Sequence, residues 1–129
     1  MTHLITVCIG SNVPECHNEI RTAIEWLKNE LAGIRHTPAY PTEPEGINAG
    51  HTPYLNAVLT GTTLLSKDEI EAAFKNYERK RGRTPAHKAE GRIIIDIDLV
   101  CYDDDVVRPE EFHTAYFRTG YLNLKQEQQ

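Results

Sequence analysis

Apolar and polar residues follow one another along the chain with a period that changes from strand-like to helix-like and back. Residues 3–9 are mostly apolar and β-branched, which predicts a strand that stops at the Gly-Ser-Asn of 10–12. Beginning at Ile20, apolar residues then recur at i, i+3, i+4, i+7 and i+11, which predicts one face of a helix. Gly33 follows this stripe, and glycine is common just after the C-terminal end of a helix.

The middle of the chain predicts two strands joined by a loop. Residues 34–42 are extended in character but contain Pro38 and Pro41. Because proline cannot donate a hydrogen bond to a sheet ladder, this segment is predicted to be an edge strand. Residues 54–63 alternate between the two faces, with Leu55 on one face and Asn56 on the other, as in a half-buried strand.

The last third of the chain predicts a second helix and a final strand. Ser66 and Glu69 have the spacing of a capping box, and the apolar face that follows continues to Gly82. Residues 92–102 form a strongly apolar stretch that predicts a strand. Residues 103–129 are predicted to be irregular, with a polar and mobile end.

The predicted order of elements is βαββαβ, and this order indicates the fold class. It fits an α+β protein with a ferredoxin-like sandwich, in which two helices cover one face of an antiparallel sheet. The other face is left for a ligand. A single domain over residues 1–129 is expected, with a core of about residues 3–102. Many unrelated activities use this architecture, so the function has to be inferred from the site.

Composition excludes several classes of protein. The three cysteines, Cys8, Cys16 and Cys101, lack the spacing of a zinc site and are odd in number, so reduced and ordinary residues are expected. The N-terminus does not resemble a signal peptide, and no apolar segment approaches the length of a membrane span. A cytoplasmic protein without a membrane partner is therefore predicted.

Charge is distributed unevenly along the chain. The net charge is -5, yet residues 78–92 contain six of the fourteen Lys and Arg residues and only two Glu. A local basic segment on an acidic protein favours a small anionic ligand over a nucleic-acid backbone, which needs a broader positive surface. A solvated helix end followed by a polar loop is the simpler alternative for this segment.

Two aspartates lie inside the apolar stretch of the last strand. Side chains alternate along a strand, so Asp96 and Asp98 are predicted to share one face, while Ile95, Ile97 and Cys101 point to the other. Burying unpaired carboxylates is costly, and Mg²⁺ is typically held by one or two carboxylates together with phosphate oxygens. A magnesium site is one interpretation. The alternative is that this face is wet and the aspartates only solvate it.

Neighbouring residues favour a site for phosphoryl transfer. Tyr54 and Asn56 also share a face, and an aromatic ring beside a carboxamide suits a flat heterocycle with amide edges. In the basic segment, Arg83, Lys88 and Arg92 are candidates for phosphate binding, because phosphoryl transfer depends on positioning and on cationic groups. The sequence contains no Walker A motif, which excludes a P-loop enzyme.

Four short stretches, taken in order, resemble one known family. They are "IGSN" at 9–12, "YPTEPEG" at 40–46 with "YLNAV" at 54–58, "YERKRGR" at 77–83 and "IDIDLV" at 95–100. In this order and spacing they are similar to the 6-hydroxymethyl-7,8-dihydropterin pyrophosphokinases of folate synthesis. That family has a ferredoxin-like core, in agreement with the predicted order of elements.

The resemblance implies an activity and a set of site residues. The activity is transfer of the β,γ-diphosphate of ATP to the hydroxymethyl group of the pterin, with release of AMP. Two Mg²⁺ ions on Asp96 and Asp98 would bridge the ATP phosphates, and Arg83 would neutralise charge on the transferred diphosphate. Arg92, which stands one residue before the usual arginine position, is expected to close over the same group together with Arg83. The implied pterin residues are Thr42, Pro44, Tyr54, Asn56 and Tyr121. The implied ATP contacts are Glu78, Arg83, Arg108 and His113.

The chain also departs from the family pattern, and the departures leave an alternative open. Ile93 stands where an arginine is usual, Pro85 stands where the loop often has a second arginine, and the usual C-terminal segment is missing. A catalytically impaired pterin-binding protein is therefore the second hypothesis. An RNA-recognition module is the third, although the acidic balance and missing aromatic signatures oppose it. The expected partners are the pterin and ATP, no nucleic acid is expected, and the protein is predicted to be a monomer or weak dimer.

Overall fold

An antiparallel sheet forms the centre of the molecule. The computed structural model describes residues 1–42, 54–82 and 91–127. The strands are β1 His3–Ser11, β2 Ala32–His36, β3 Tyr40–Thr42, β4 Tyr54–Thr63, β5 Asp96–Tyr102 and β6 Asp105–Val106. The helices are α1 Cys16–Glu30, α2 Lys67–Lys80, α3 Pro109–Phe112 and α4 Ala115–Glu127.

The order of strands confirms the predicted fold class. Neighbouring strands run β2-β4-β1-β5-β6, and β3 pairs with β4 beside β2. Every strand pair is antiparallel. The βαββαβ core of a ferredoxin-like sandwich is formed, in chain order, by β1, α1, β2, β4, α2 and β5. None of the described helices has both the length and the apolar character needed to cross a membrane.

One face of the sheet packs against α1 and α2, as the alternation predicts. The stripe that begins at Ile20 is buried along α1, and the capping box of α2 is formed in both directions. Ser66 Oγ accepts a hydrogen bond from Glu69 N at 3.2 Å, and Glu69 Oε1 accepts one from Ser66 N at 2.9 Å. The core on this face includes Leu55, Ala57, Leu59, Ile95, Ile97 and Leu99.

The second face is covered by the C-terminal segment, and here the sequence-based prediction was wrong. Residues 103–129 were expected to be irregular, but they contain β6, α3 and α4. Phe117 and Leu124 of α4 are buried against Cys8, Val58 and Val100 of the sheet. The helix therefore owes its stability to burial of a narrow apolar stripe, and tertiary packing commonly outweighs helix propensity in this way.

Gly120 allows α4 to approach the sheet closely. A Cβ atom at this position would lie 2.6 Å from Val58 Cγ2 and 2.7 Å from the hydroxyl oxygen of Tyr40. Both distances are shorter than atoms of real side chains allow. The Tyr40 hydroxyl also donates a hydrogen bond to the carbonyl oxygen of Tyr116 at 2.5 Å, so β3 and α4 are tied together at this point.

Several element boundaries differ from the prediction, and the edge strand predicted over 34–42 is two strands, β2 and β3. Gly33 was expected to end α1, but the helix ends at Glu30 and Leu31 is already extended. Gly33 instead lies inside β2 with φ of 60°, where the register of β2 against β4 shifts. The strand predicted over 92–102 begins only at Asp96. The residues before it do not continue the strand, and the Ile93 carbonyl oxygen accepts a hydrogen bond from the backbone N–H of Asn12, just after β1.

A bulge in β5 moves Cys101 to the other face. Val7 pairs with Leu99 but Thr6 pairs with Cys101, so Val100 is an extra residue in the ladder. Cys101 was expected to share a face with Ile97, yet it packs with the hydrophobic cluster of the second face. The Val100 carbonyl oxygen accepts hydrogen bonds from the backbone N–H groups of residues 107 and 108, and so positions the segment that follows β6.

Candidate functional site

The predicted site residues of β4 and β5 lie on the second face, in rows that cross the sheet. In the first row, Asn56 is opposite Gly10 and Gly10 is opposite Asp96. In the next row, Asp98 is opposite Cys8. Because directly opposite residues in an antiparallel sheet share a face, the carboxamide and the two carboxylates border the same region of the sheet.

Gly10 provides space for the ring of Tyr54. A Cβ atom at position 10 would overlap the Tyr54 ring, so this ring lies directly over the glycine backbone. Burial, followed by the charge of Asp96, raises the pKa of Tyr54 well above its ordinary value. The hydroxyl therefore stays protonated and can donate a hydrogen bond to an anionic or carbonyl oxygen. This placement explains the glycine of the "IGSN" stretch.

Asn56 presents one polar atom that no described group satisfies. The side chain is fully buried, and its Nδ2 donates a hydrogen bond to Thr42 Oγ1 at 2.6 Å. Thr42 Oγ1 in turn lies 3.4 Å from the carbonyl oxygen of Tyr54. Asn56 Oδ1 is buried without a hydrogen-bond partner among the described residues. Since buried polar atoms are normally hydrogen-bonded, this carbonyl oxygen indicates a ligand that brings an N–H donor.

Asn12 and Ser11 hold the segment that leads into β5. Asn12 Nδ2 donates to the Gly91 carbonyl oxygen at 2.7 Å, and Asn12 Oδ1 accepts from Ile93 N at 2.6 Å. Ser11 Oγ donates to the Ile94 carbonyl oxygen at 2.6 Å. These bonds fix the end of the basic segment next to Asp96. The "IGSN" stretch thus serves to position this segment, which the sequence alone did not indicate.

Three carboxylates converge at the start of β5. Glu78, Asp96 and Asp98 each offer an oxygen, and these oxygens all lie within 4.8 Å of one another. Glu78 reaches this point from α2, where its Oε2 accepts a hydrogen bond from Ile97 N at 2.7 Å. Glu78 was predicted only as an ATP contact. The structure makes it a third candidate ligand for a divalent cation.

Asp98 lies in surroundings that disfavour its ionised form. Burial raises its pKa from 3.8 to about 8, and the nearby charges of Asp96 and Glu111 add to the effect. Arg108 acts in the opposite direction, with its Nη2 atom 3.6 Å from Asp98 Oδ1. A divalent cation would relieve this accumulation of negative charge, and oxygen ligands of this kind suit Mg²⁺. The donor set therefore fits the predicted metal.

Several residues of this region were not identified from the sequence. Lys75 Nζ lies 3.6 Å from Asp98 Oδ1. Glu111 lies close enough to Asp98 to help raise its pKa, and the Tyr116 hydroxyl donates to Glu111 Oε2 at 2.9 Å. A cavity of about 510 Å³ is lined by Asp98, Arg108, Pro109, Glu110, Glu111, Thr114 and Tyr116. Of the lining residues that follow β6, only Arg108 was predicted. The others could not be assigned from their spacing in the sequence, because this segment was expected to be irregular.

The structure places the other predicted residues less centrally. Arg92 is exposed just before Ile93, and His113 is exposed after α3 with its ring edge-on to Phe112 at 5.3 Å. Tyr121 stacks on Phe117 at 5.3 Å and borders a separate cavity of about 270 Å³. The remaining predicted residues, Pro44, Arg83 and Lys88, lie outside the described residues.

Comparison with known proteins agrees with this geometry. Residues 6–125 match the family of 7,8-dihydro-6-hydroxymethylpterin-pyrophosphokinases. A 2-amino-4-hydroxy-6-hydroxymethyldihydropteridine pyrophosphokinase of Porphyromonas gingivalis is 30% identical over 77% of this chain and 69% of its own length. The enzyme of the same name from Aquifex aeolicus is 35% identical over 78% of this chain and 61% of its own length.

The same similarity extends to larger proteins. A mitochondrial folate synthesis bifunctional protein of Pisum sativum is 28% identical over 82% of this chain, which corresponds to 20% of that protein. The chain thus spans between a fifth and about two thirds of these relatives. Its match covers the strands and helices that form the carboxylate site, and the chain belongs to the 7,8-dihydro-6-hydroxymethylpterin-pyrophosphokinase family of folate biosynthesis.

Proposed function

We propose that the protein transfers diphosphate from ATP to the hydroxymethyl group of 6-hydroxymethyl-7,8-dihydropterin, giving AMP, in a magnesium-dependent reaction. The observation that carries this proposal is that Glu78 converges with Asp96 and Asp98, two residues on the sheet face that also presents Asn56. Carboxylates for a cation and a buried amide for a heterocycle thereby adjoin the same part of the sheet. The family match does not favour the alternative of a binding protein without catalysis.

The pterin site is proposed to lie between β3, β4 and the Tyr54 ring. Asn56 Oδ1 accepts a hydrogen bond from an N–H of the pterin, because this buried oxygen has no partner among the described residues, whereas Nδ2 already donates to Thr42. Thr42 and Tyr54 line the pocket, and Pro44 and Tyr121 are proposed as further contacts. Tyr116, which borders the cavity beside Asp98, is a second aromatic candidate for contact with the ring.

The nucleotide is proposed to bind beside the three carboxylates, next to Gly91 and Arg92. Asp96 and Asp98, together with Glu78, would hold Mg²⁺, which supplies positive charge at the phosphate oxygens when it is bound. The number of ions, predicted as two, is part of the proposal. The protein groups proposed to contact ATP are Glu78, Arg83, Lys88, Arg92, Arg108 and His113.

In the proposed reaction, the pterin hydroxyl attacks the β-phosphorus in line, and the bond between that phosphorus and the oxygen bridging it to the α-phosphate breaks. AMP leaves with this oxygen, and the hydroxyl proton is released to solvent. The protein contributes mainly by positioning and by electrostatic stabilisation. Asp98 orients the hydroxyl by accepting its hydrogen bond. Arg83 and Arg92 neutralise charge on the transferred diphosphate, and the hydrogen bonds of Asn12 keep the end of the basic segment beside it.

A coupled assay of AMP release with ATP, Mg²⁺ and the hydroxymethyldihydropterin tests the proposal. Substituting Asp96→Ala or Asp98→Ala is expected to lower turnover by about 10²- to 10³-fold, as loss of a preorganised electrostatic group does in other enzymes. Ser66→Ala, which alters only the cap of α2, serves as the control and is expected to keep turnover. Undiminished turnover in both aspartate variants would overturn the mechanism.

Calorimetry separates catalysis from binding alone. Asn56→Leu is expected to weaken pterin binding by at least tenfold, because it removes the buried acceptor and its link to Thr42. It is expected to leave magnesium-dependent ATP binding unchanged. Binding of pterin without any magnesium-dependent binding of ATP would instead support the binding-only hypothesis.

A further inference from the structure

Lys75 places a positively charged ammonium group against the proposed magnesium site. It lies on α2, one turn before Glu78, and its Nζ is 3.4 Å from both carboxylate oxygens of Glu78. The same atom is 3.6 Å from Asp98 Oδ1. The ammonium group therefore bridges two of the three carboxylates that converge at the start of β5.

The exposure of these groups shows from which side the ammonium approaches. The side chains of Glu78 and Asp98 are 4% and 11% exposed, whereas that of Lys75 is 42% exposed. The carboxylates are held by the fold, with Glu78 anchored on Ile97 N. Lys75 reaches them from the solvent side on a flexible four-carbon stem, so it can leave without disturbing the carboxylates.

The contacts of Lys75 are long for charge-assisted hydrogen bonds, which are usually about 2.7–2.9 Å. Partly exposed ion pairs of this kind contribute little to stability. Their effect on an incoming cation is larger, because a divalent ion that binds Glu78 and Asp98 must approach the same oxygens against the repulsion of the ammonium.

We propose that Lys75 competes with Mg²⁺ for Glu78 and Asp98, so that the metal binds weakly until a nucleotide is present. This inference rests on the proposed function. The phosphate oxygens of the nucleotide offer the ammonium a new partner, and the carboxylates then become available to the metal. Lys75 thereby couples magnesium binding to nucleotide binding, and the two ligands enter together.

Titration calorimetry with Mg²⁺ alone and with Mg²⁺ plus α,β-methylene-ATP, which cannot be cleaved at the reacting bond, tests the inference. Removing two partly exposed ion pairs in Lys75→Gln is expected to tighten binding of Mg²⁺ alone by about tenfold. The nucleotide analogue is expected to enhance Mg²⁺ affinity less in this variant than in the wild type. Lys75→Arg keeps the charge and is expected to resemble the wild type.

Lys28→Gln is the matched control. Lys28 pairs with Glu25 at 3.2 Å, also three residues apart on a helix, but both side chains are exposed on α1. This variant is expected to bind Mg²⁺ as the wild type does, with and without the analogue. Thermal unfolding in EDTA shows whether each variant is folded.

The outcomes separate this inference from the proposed function. Equal affinity of wild type and Lys75→Gln for Mg²⁺ alone, with normal binding of Mg²⁺ and analogue together, would overturn the role of Lys75 and leave the proposed function standing. Weaker Mg²⁺ binding in Lys75→Gln would also overturn it. Absence of any nucleotide-dependent Mg²⁺ binding in every variant, the wild type included, would overturn both.

Discussion

Replacing Phe117 with alanine tests whether α4 is an integral part of the fold. The Phe117 side chain is 0% exposed and lies between the helix and the sheet, against Cys8, Val58 and Val100. It also stacks on Tyr121 with a ring separation of 5.3 Å. No other single residue of α4 joins the sheet and the neighbouring aromatic rings so directly in the part of the chain that the structure describes.

The size of the effect follows from burial. Phe→Ala substitutions in protein cores cost about 3–5 kcal/mol, from lost transfer free energy and from the cavity that remains. We expect a loss of about 3 kcal/mol, at the low end of this range, because α4 can partly undock and the cavity then need not persist. An undocked α4 would not stay helical, since isolated helices shorter than about 12–15 residues are marginal in water.

Urea denaturation followed by two probes measures this effect. Trp26 is the only tryptophan of the chain and stacks on Tyr77 at 4.5 Å, in the core on the opposite face of the sheet. Its fluorescence therefore reports global unfolding, and far-UV circular dichroism reports helix content. Phe117→Ala is expected to lower the unfolding midpoint by both probes and to reduce the helix signal before the transition.

A variant of the same helix provides the control. Leu122 is 47% exposed, so Leu122→Ala is expected to change the free energy of unfolding by less than about 0.5 kcal/mol. If Phe117→Ala behaved like Leu122→Ala, with unchanged midpoint and unchanged helicity, α4 would not be packed on the sheet. The correction of the predicted irregular C-terminal segment would then be refuted.

Three further outcomes are expected. In EDTA, the free energy of unfolding of the wild type should fall as pH rises from about 4 to about 8, because ionising Asp98, whose pKa is raised from 3.8 to about 8, destabilises the folded state. Asp98→Asn should lack this slope and be more stable by up to about 4 kcal/mol at pH 7, whereas a parallel slope in both proteins would contradict the assignment. Gly10→Ala should displace the Tyr54 ring and so weaken pterin binding, measured by calorimetry. It should also lower the free energy of unfolding by about 1–3 kcal/mol in urea denaturation. Unchanged pterin affinity would argue against the position of Tyr54. Ser66→Ala should cost about 0.5–2 kcal/mol by losing the capping box while turnover stays constant, and a loss of turnover would mean that α2 positions Glu78 through its cap.

Much of the fold was predictable from local pattern alone. The alternation along residues 54–63 put Leu55 and Asn56 on opposite faces, and the structure confirms both placements. The Ser66 capping box likewise determined where α2 begins. These predictions succeeded because side-chain direction in a strand, and hydrogen bonding at a helix N-terminus, depend on residues next to each other in the chain.

Local pattern failed where a distant part of the chain decides the outcome. The bulge at Val100 reverses the expected face of Cys101, and it arises from pairing with β1. Gly33 became part of β2 because pairing with β4 begins at Ala32. The apolar residues of α4 were present in the sequence, but only the open face of the sheet gives them a surface on which to be buried.

The sequence by itself determined the βαββαβ order of the core, the opposite faces of Leu55 and Asn56 and the shared face of Asp96 and Asp98, because these depend on residues a few positions apart. The tertiary structure decided which groups surround that pair. Glu78 and Lys75 lie on α2, and Arg108 and Glu111 lie in the segment after β6. No spacing of residues along the chain predicts that these charged groups lie close together. Their proximity follows from the packing of α2 and α3 near the first residues of β5, which places charges distant in sequence within a few ångströms of one another.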